Sequence, residues 1–281
     1  MPKPWWSDSA IFAQLNSKKS WSGLSISYAF PTSSIGLSGS EKNGFSSFSA
    51  PQKNIATEIV QLWDDLINPR LVSVGADPRA QIKFANSSAI DFAQTYLPSA
   101  KSQPGCVWLN PFKNNGNAWT NNLANPTYGE WGYYIYIHEF GHALGLNHAG
   151  AYDRGSPTYE NTANFFQDTQ QYTVMSYFSA ENSDGSWLAS DGLVYSPQTP
   201  MLYDIMSIQR MYGADLKTRA GDTIYGYNAN AGQNVYNFEI NQHPVLCIYD
   251  AGGKDTLDNS NSPHACSLNL NPGSFSNTDM M

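Results

Sequence analysis

Apolar residues along this chain recur with two different periods. Residues 21–30 (WSGLSISYAF) mix aromatic and β-branched side chains, with near-alternation at Leu24, Ile26 and Tyr28, which predicts a strand. In residues 46–68 the period lengthens: Ile55, Ile59, Leu62, Trp63 and Leu66 fall at helical spacing. Ser49, with Pro51 in the first turn and Gln52 three positions on, reads as the capping box of that helix. Short β-like runs follow at 81–86 (QIKFAN) and 105–110 (GCVWLN), so the first half reads as a twisted sheet backed by a helix. A second helix is predicted from Glu130 to Leu144, apolar or aromatic through several turns and stopped by Gly145. In residues 200–215 (PMLYDIMSIQRMYGAD), Leu202, Ile205, Met206, Ile208 and Met211 predict a third helix, ending near Tyr212 with Gly213 as its stop. Past Leu216 the text turns to Gly, Asn and Asp around short β-like pieces, 234–240 (NVYNFEI) and 244–250 (PVLCIYD). That shift places a domain boundary there, giving 1–216 and 217–281.

Composition narrows the class without choosing a fold. The 281 residues, 41% hydrophobic and 14% charged, can bury a large core under a neutral polar surface. A net charge of -8 and the lack of any Lys/Arg cluster argue against a nucleic-acid partner. No apolar stretch of about 20 residues suggests a membrane span, and residues 1–16 hold no apolar run of the kind a secretory signal needs. Cys106, Cys247 and Cys266 are too few for a disulfide framework. They read either as three ordinary thiols or, for Cys247 and Cys266, as a bridge closing a C-terminal loop.

Residues 138–148, HEFGHALGLNH, carry the candidate chemistry. Four residues apart on a helix, His138 and His142 point the same way and can chelate one zinc ion. Glu139 lies about 100° round the helix from His138. It is placed to hydrogen-bond a water rather than to ligate. Gly145 can turn the chain back so that His148 joins as a third ligand, leaving the open fourth position of a catalytic site.

The same letters form the HExxHxxGxxH signature of the metzincin zinc endopeptidases. That resemblance predicts a methionine-bearing turn under the metal, and residues 173–178 (TVMSYF) offer Met175, with Tyr177 two positions on. Within the metzincins the chain most resembles the serralysins, secreted bacterial proteases, in the order and spacing of HEFGHALGLNHAG, VMSYFSAENSDG, PMLYDIMSIQRMYGAD and TRAGDTIYGYNANAG. Ala149 departs from the proline usual there, so the downstream blocks carry the assignment. The resemblance implies an α+β metzincin fold: a twisted, mostly parallel sheet, an active-site helix, a Met-turn and a short, partial β-rich appendage. It implies zinc on His138, His142 and His148, Glu139 as general base, and Tyr177 as a group that stabilises the tetrahedral intermediate. Protein or peptide substrates, a monomer, secretion and a proteinaceous inhibitor as a further partner follow from it too. Metzincins receive substrate as an extra strand along the sheet strand bordering the cleft, and Cys106, Val107, Trp108 and Leu109 are the candidate for that strand. An ordinary strand with Trp108 in the core is the alternative. A zinc-bound but inactive peptide-binding or inhibitory module is the rival to the enzyme.

Residues 249–258 (YDAGGKDTLD) interleave Asp250, Asp255 and Asp258 with glycine, a hard-oxygen arrangement suited to calcium. Only one such segment occurs, and a single turn cannot bury itself as a β-roll, so 217–281 is expected to be a truncated calcium-binding appendage. The serralysin pattern for a calcium site at this junction falls on Arg219, Gly221 and Thr223 and on Asp250, Gly252 and Asp255.

Overall fold

The computed structural model describes residues 3–99, 102–113, 122–153 and 155–280, and side chains up to 278. Helix α1 (Asp8–Leu15) opens the chain, followed by strands β1 (Ser25–Ala29) and β2 (Phe45–Ser46). Helix α2 (Ala50–Asp64) and strands β3 (Arg70–Ser73), β4 (Ile82–Ser87), β5 (Ala93–Thr95) and β6 (Cys106–Leu109) complete the first half. The sheet runs β3-β1-β4-β6-β5, with β2 added beside β4. Strands β1, β3, β4 and β6 are parallel, whereas β5 is antiparallel to β6 and β2 to β4.

Helix α2 begins where its cap dictates. Ser49 and Gln52 form the reciprocal capping box, and the Gln52 amide also exchanges hydrogen bonds with the Asn86 amide of β4, 2.9 Å each way. The helix start is thereby tied to the sheet as well as to itself. Its apolar side, with Ile59, Val60 and Trp63, packs against helix α3 (Trp131–Ala143), and Phe84 of β4 stacks on Phe140 of α3 at 5.6 Å. Buried along nearly its whole length, α3 shows little amphipathic period, because it has almost no solvent side to mark.

Below α3 the chain reverses at Gly145, whose φ of 105° is open to glycine but not to residues with a Cβ. A Cβ there would also collide with the Lys19 carbonyl. The N-terminal segment clasps this turn: Asn147 N donates to Leu15 O (2.7 Å), Ser17 N to Gly145 O (3.2 Å), and the Gln14 side chain to His148 O (3.1 Å). The short helix α4 (Tyr159–Thr162) follows, then α5 (Leu202–Tyr212), ended by Gly213 at φ 79° and packed against α1.

Beyond α5, β7 (Ile224–Gly226) pairs in parallel with β8 (Thr256–Asp258), and β9 (Ala265–Ser267) runs antiparallel to β10 (Asn277–Met280). Tyr225, Val235 and Tyr236 join the same core as α2 and α3. Arg219 forms a 2.6 Å ion pair with Asp65 at the end of α2.

Several expectations need correction. Residues 105–110 are a strand but not the border of the sheet: β6 has β4 on one side and β5 on the other, so both of its backbone edges are used. Cys106, Val107, Trp108 and Leu109 therefore cannot receive another strand, and among the described residues the edge belongs to β5. The β-like run 234–240 begins as a 3₁₀ turn, Asn234–Tyr236, and 244–250 forms no strand. The strands of that region lie instead in 224–226 and 256–258, where two short segments find each other. Cys106 is buried, Cys247 half-buried and Cys266 exposed, and all three are free thiols, so no Cys247–Cys266 bridge closes the tail. Among the described residues no helix is long and apolar enough to cross a membrane.

Candidate metal centre

Helix α3 carries His138 and His142 one turn apart, and the Gly145 reversal brings His148 back to them. One ring nitrogen from each lies within 4.8 Å of the others, and the Nε2 atoms of His142 and His148 stand 3.0 Å apart. Among the described residues, this is the one group of three or more His, Cys, Asp or Glu side chains that converges so closely. The tautomers follow from the partners. His138 Nδ1 donates to Val174 O and His142 Nδ1 to Leu146 O, each at 2.7 Å, because a carbonyl can only accept. Both Nε2 lone pairs therefore face the common centre.

Burial keeps these imidazoles uncharged. It pushes His138 down to about 3, with His148 adding to the effect, and it lowers His142 and His148 as well. Three neutral imidazoles with convergent lone pairs make a donor set that repels itself without a cation and suits zinc with one. Beside them, burial raises the Glu139 carboxyl to about 7. Its Oε2 is buried without a hydrogen-bond partner, as expected of a carboxylate whose partner is a water or substrate proton. Thr95 of β5 sits next to Glu139, and its hydroxyl too is buried without a hydrogen-bond partner.

Met175 lies under the centre with no exposed surface. A Cβ on Gly141 of α3 would come 2.8 Å from the Met175 sulfur, so the glycine of the helix and the methionine of the turn are matched. Tyr177 stands beside the histidines, its ring 4.6 Å from His148 and 6.0 Å from His138, and 39% exposed. Burial, with Glu139 adding to it, pushes its phenol up to about 12, so the hydroxyl keeps its proton and can donate.

A residue that the sequence reading passed over holds the turn in place. Asp204, in the first turn of α5, has no exposed surface and accepts from Thr173 Oγ1 (2.5 Å), Val174 N (2.7 Å) and Met201 N (2.8 Å). Tyr134 of α3 reaches the same turn through Val174 O and Ser176 O, 2.8 Å from each. An acidic residue amid the apolar run PMLYDIMSI marks Asp204 as unusual, but only the structure shows which turn it holds.

The residues expected to hold calcium lie in two adjacent loops. Thr223 Oγ1 donates to Gly221 O (3.0 Å) or Arg219 O (3.4 Å), and Thr223 N donates to Asp255 Oδ1 (3.1 Å). In the second loop Gly252 N donates to Asp250 Oδ1 (2.9 Å), and Tyr225 donates to Asp250 Oδ2 (2.6 Å).

Residues 214–281 match the family model described as peptidase M10 serralysin C terminal, and residues 79–192 that of the reprolysin-like metallopeptidases of family M12B. The chain is 36% identical over 244 residues to serralysin A of Dickeya chrysanthemi, covering 83% of this chain and 48% of that protein. It is 36% identical over 262 residues to metallopeptidase AprA of Pseudomonas marginalis, covering 90% and 54%. To metalloprotease AprA of Pseudomonas entomophila (strain L48) it is 34% identical over 288 residues, covering 98% and 56%. The chain spans about half the length of the curated relatives it matches.

Proposed function

The chain is a relative of the serralysin-type metallopeptidases, and from that premise we propose that it is a zinc-dependent endopeptidase, hydrolysing internal peptide bonds with broad sequence tolerance. The observation that carries this reading is the pairing of three neutral imidazoles with a buried, unpartnered carboxylate oxygen on Glu139.

His138, His142 and His148 would hold the metal, and the carbonyls of Val174 and Leu146 fix the orientation of the first two rings. Zinc held there would supply Lewis acidity, making an attacking water easier to deprotonate. Glu139, its carboxyl raised by burial to about 7, would take a proton from the attacking water and return it to the departing amine. Tyr177, protonated up to about 12, donates to the oxygen on which negative charge develops. The substrate backbone pairs with the open edge of β5, and because main-chain hydrogen bonds read no side chains, cleavage tolerates many sequences.

Residues 1–216 act as the catalytic domain and 217–281 as an appendage that holds calcium between the 219–223 and 250–255 loops. Secretion, and action as a monomer on protein or peptide substrates, belong to the same reading.

Casein hydrolysis by the purified zinc-loaded chain, with and without a chelator and beside Glu139→Ala, tests it. Wild type should cut and the chelated protein should not. Glu139→Ala should lose roughly 10²–10⁴-fold in rate while still binding one zinc. A zinc-loaded wild type that cuts nothing, or a Glu139→Ala variant that cuts equally well, sinks the mechanism.

A further inference from the structure

Strand β5 poses a physical problem. It has three residues and, among the described residues, pairs with β6 alone and leaves its other backbone edge open. So short an edge strand, held only by its ladder, would fray, and a frayed edge is a poor template for an incoming chain. Something must hold it from the side facing away from α3.

That side carries a buried carboxylate which the proposed chemistry does not use. Glu41, in the 3₁₀ turn Ser40–Gly44, is only 5% exposed and lies where three donors converge. Gln94 Nε2 of β5 donates to its Oε1 (2.9 Å), the Tyr96 hydroxyl just past β5 donates to the same oxygen (2.5 Å), and Gln103 Nε2 donates to Oε2 (2.8 Å). Gln103 in turn accepts from the indole of Trp108 on β6, at 2.9 Å. The path Trp108, Gln103, Glu41, Gln94 and Tyr96 thus ties the edge strand to its neighbour through side chains as well as backbone. The close approach is built in: Gly39 has φ 84°, and a Cβ on it would overlap both the Gln103 amide and the Glu41 carboxylate. Burial alone would raise the Glu41 carboxyl. Hydrogen bonds from Tyr96, the local backbone, Gln103 and Gln94 outweigh that and hold it below the usual range, so the bonds are of the stronger, charge-assisted kind.

Strand alternation gives the clamp its consequence. Gln94 and Tyr96 turn to Glu41, while Thr95 between them turns to Glu139 on α3. We infer that Glu41 is a positioning residue for substrate: by gripping Gln94, Tyr96 and Gln103 it holds the open edge of β5 in register with Glu139, so that an extended peptide is bound and aligned. The inference rests on the reading of β5 as the substrate-receiving edge. Glu41 touches neither substrate nor metal, and its effect falls on the binding of long peptides.

The test exploits the geometry of the Glu41–Gln103 pair. In Glu41→Gln the new amide faces the Gln103 amide, donor against donor. Adding Gln103→Glu exchanges the two groups and restores both the bond and the charge. With zinc-loaded protein, Glu41→Gln should raise KM about tenfold for an octapeptide spanning the scissile bond, the loss of one charge-assisted hydrogen bond, and leave kcat nearly unchanged. A tripeptide substrate should show little change, and the double variant should return the octapeptide KM to near wild type. Gln94→Ala, which removes one donor, should give a smaller shift in the same direction. Amide hydrogen exchange across residues 92–97 should quicken in Glu41→Gln and slow again in the double variant. An unchanged KM, equal losses on both peptides, or failure of the exchange to rescue overturns the role. If wild type cuts neither peptide, the endopeptidase reading fails and hydrogen exchange decides the clamp by itself: unchanged protection in Glu41→Gln overturns it, and lost protection upholds it.

Discussion

Asp204 shows how a single side chain can govern a site it never touches. Its two oxygens take hydrogen bonds from Thr173, Val174 and Met201, and the Val174 carbonyl in turn orients His138. Burial raises its carboxyl to about 7 despite those bonds. Between about 4, the unfolded value, and 7 the folded state therefore holds a proton that the unfolded state releases, so Asp204 makes stability fall as pH rises through that window. Replacing Asp204 with Asn removes the titration while keeping an oxygen for the backbone donors. The difference in Tm between wild type and Asp204→Asn, followed from pH 4 to 8, should shift in favour of the variant as pH rises. A difference independent of pH would show that the residue does not titrate there. The motif residues needed no structure to be found, because their spacing encodes their convergence. Asp204 did, because nothing in the local sequence says which turn it caps.

At the scale of elements, α3 and the Gly145 reversal form one device, completed by the N-terminal segment. Leu15, Ser17 and Gln14 hold the reversal through three hydrogen bonds, with Asn147, Gly145 and His148 respectively, and the Trp21 indole donates to Ala143 O at 2.9 Å. Gly145→Ala puts a Cβ at positive φ and into the Lys19 carbonyl, which should cost about 1–3 kcal/mol in stability. It should also weaken zinc binding in a chelator competition, since His148 rides on the displaced turn. Unaltered zinc affinity would mean that the clasp and the third ligand are independent. The helices α2, α3 and α5 were legible because each has a cap or a stop glycine at its end. The edge position of β5 was not, because a three-residue strand has no period to read and strand order is a property of partners.

For the whole molecule, the question is how the segment after 216 stays attached. The Arg219–Asp65 pair is nearly buried, with Gln233 and the Tyr236 ring around it, and Tyr225 and Val235 extend the main core. The 219–223 and 250–255 loops meet on that anchor. Calcium should raise Tm, by the equivalent of about 2.7 kcal/mol at a hundredfold excess over Kd, and Asp255→Ala should abolish the rise. A wild-type Tm indifferent to both calcium and its chelator would count against a site there.

The sequence by itself determined what is local and periodic: the helices, the two histidines one turn apart and the glycine that returns the third. Those follow from 3.6 residues per turn and from the conformations open to glycine, which neighbours in the chain set. Only the tertiary structure decided which strand is the edge, that Cys247 and Cys266 stay apart, and that Asp204 and Glu41 brace the turn and the strand. Each of these depends on partners distant along the chain, and the packing of the core chooses those partners.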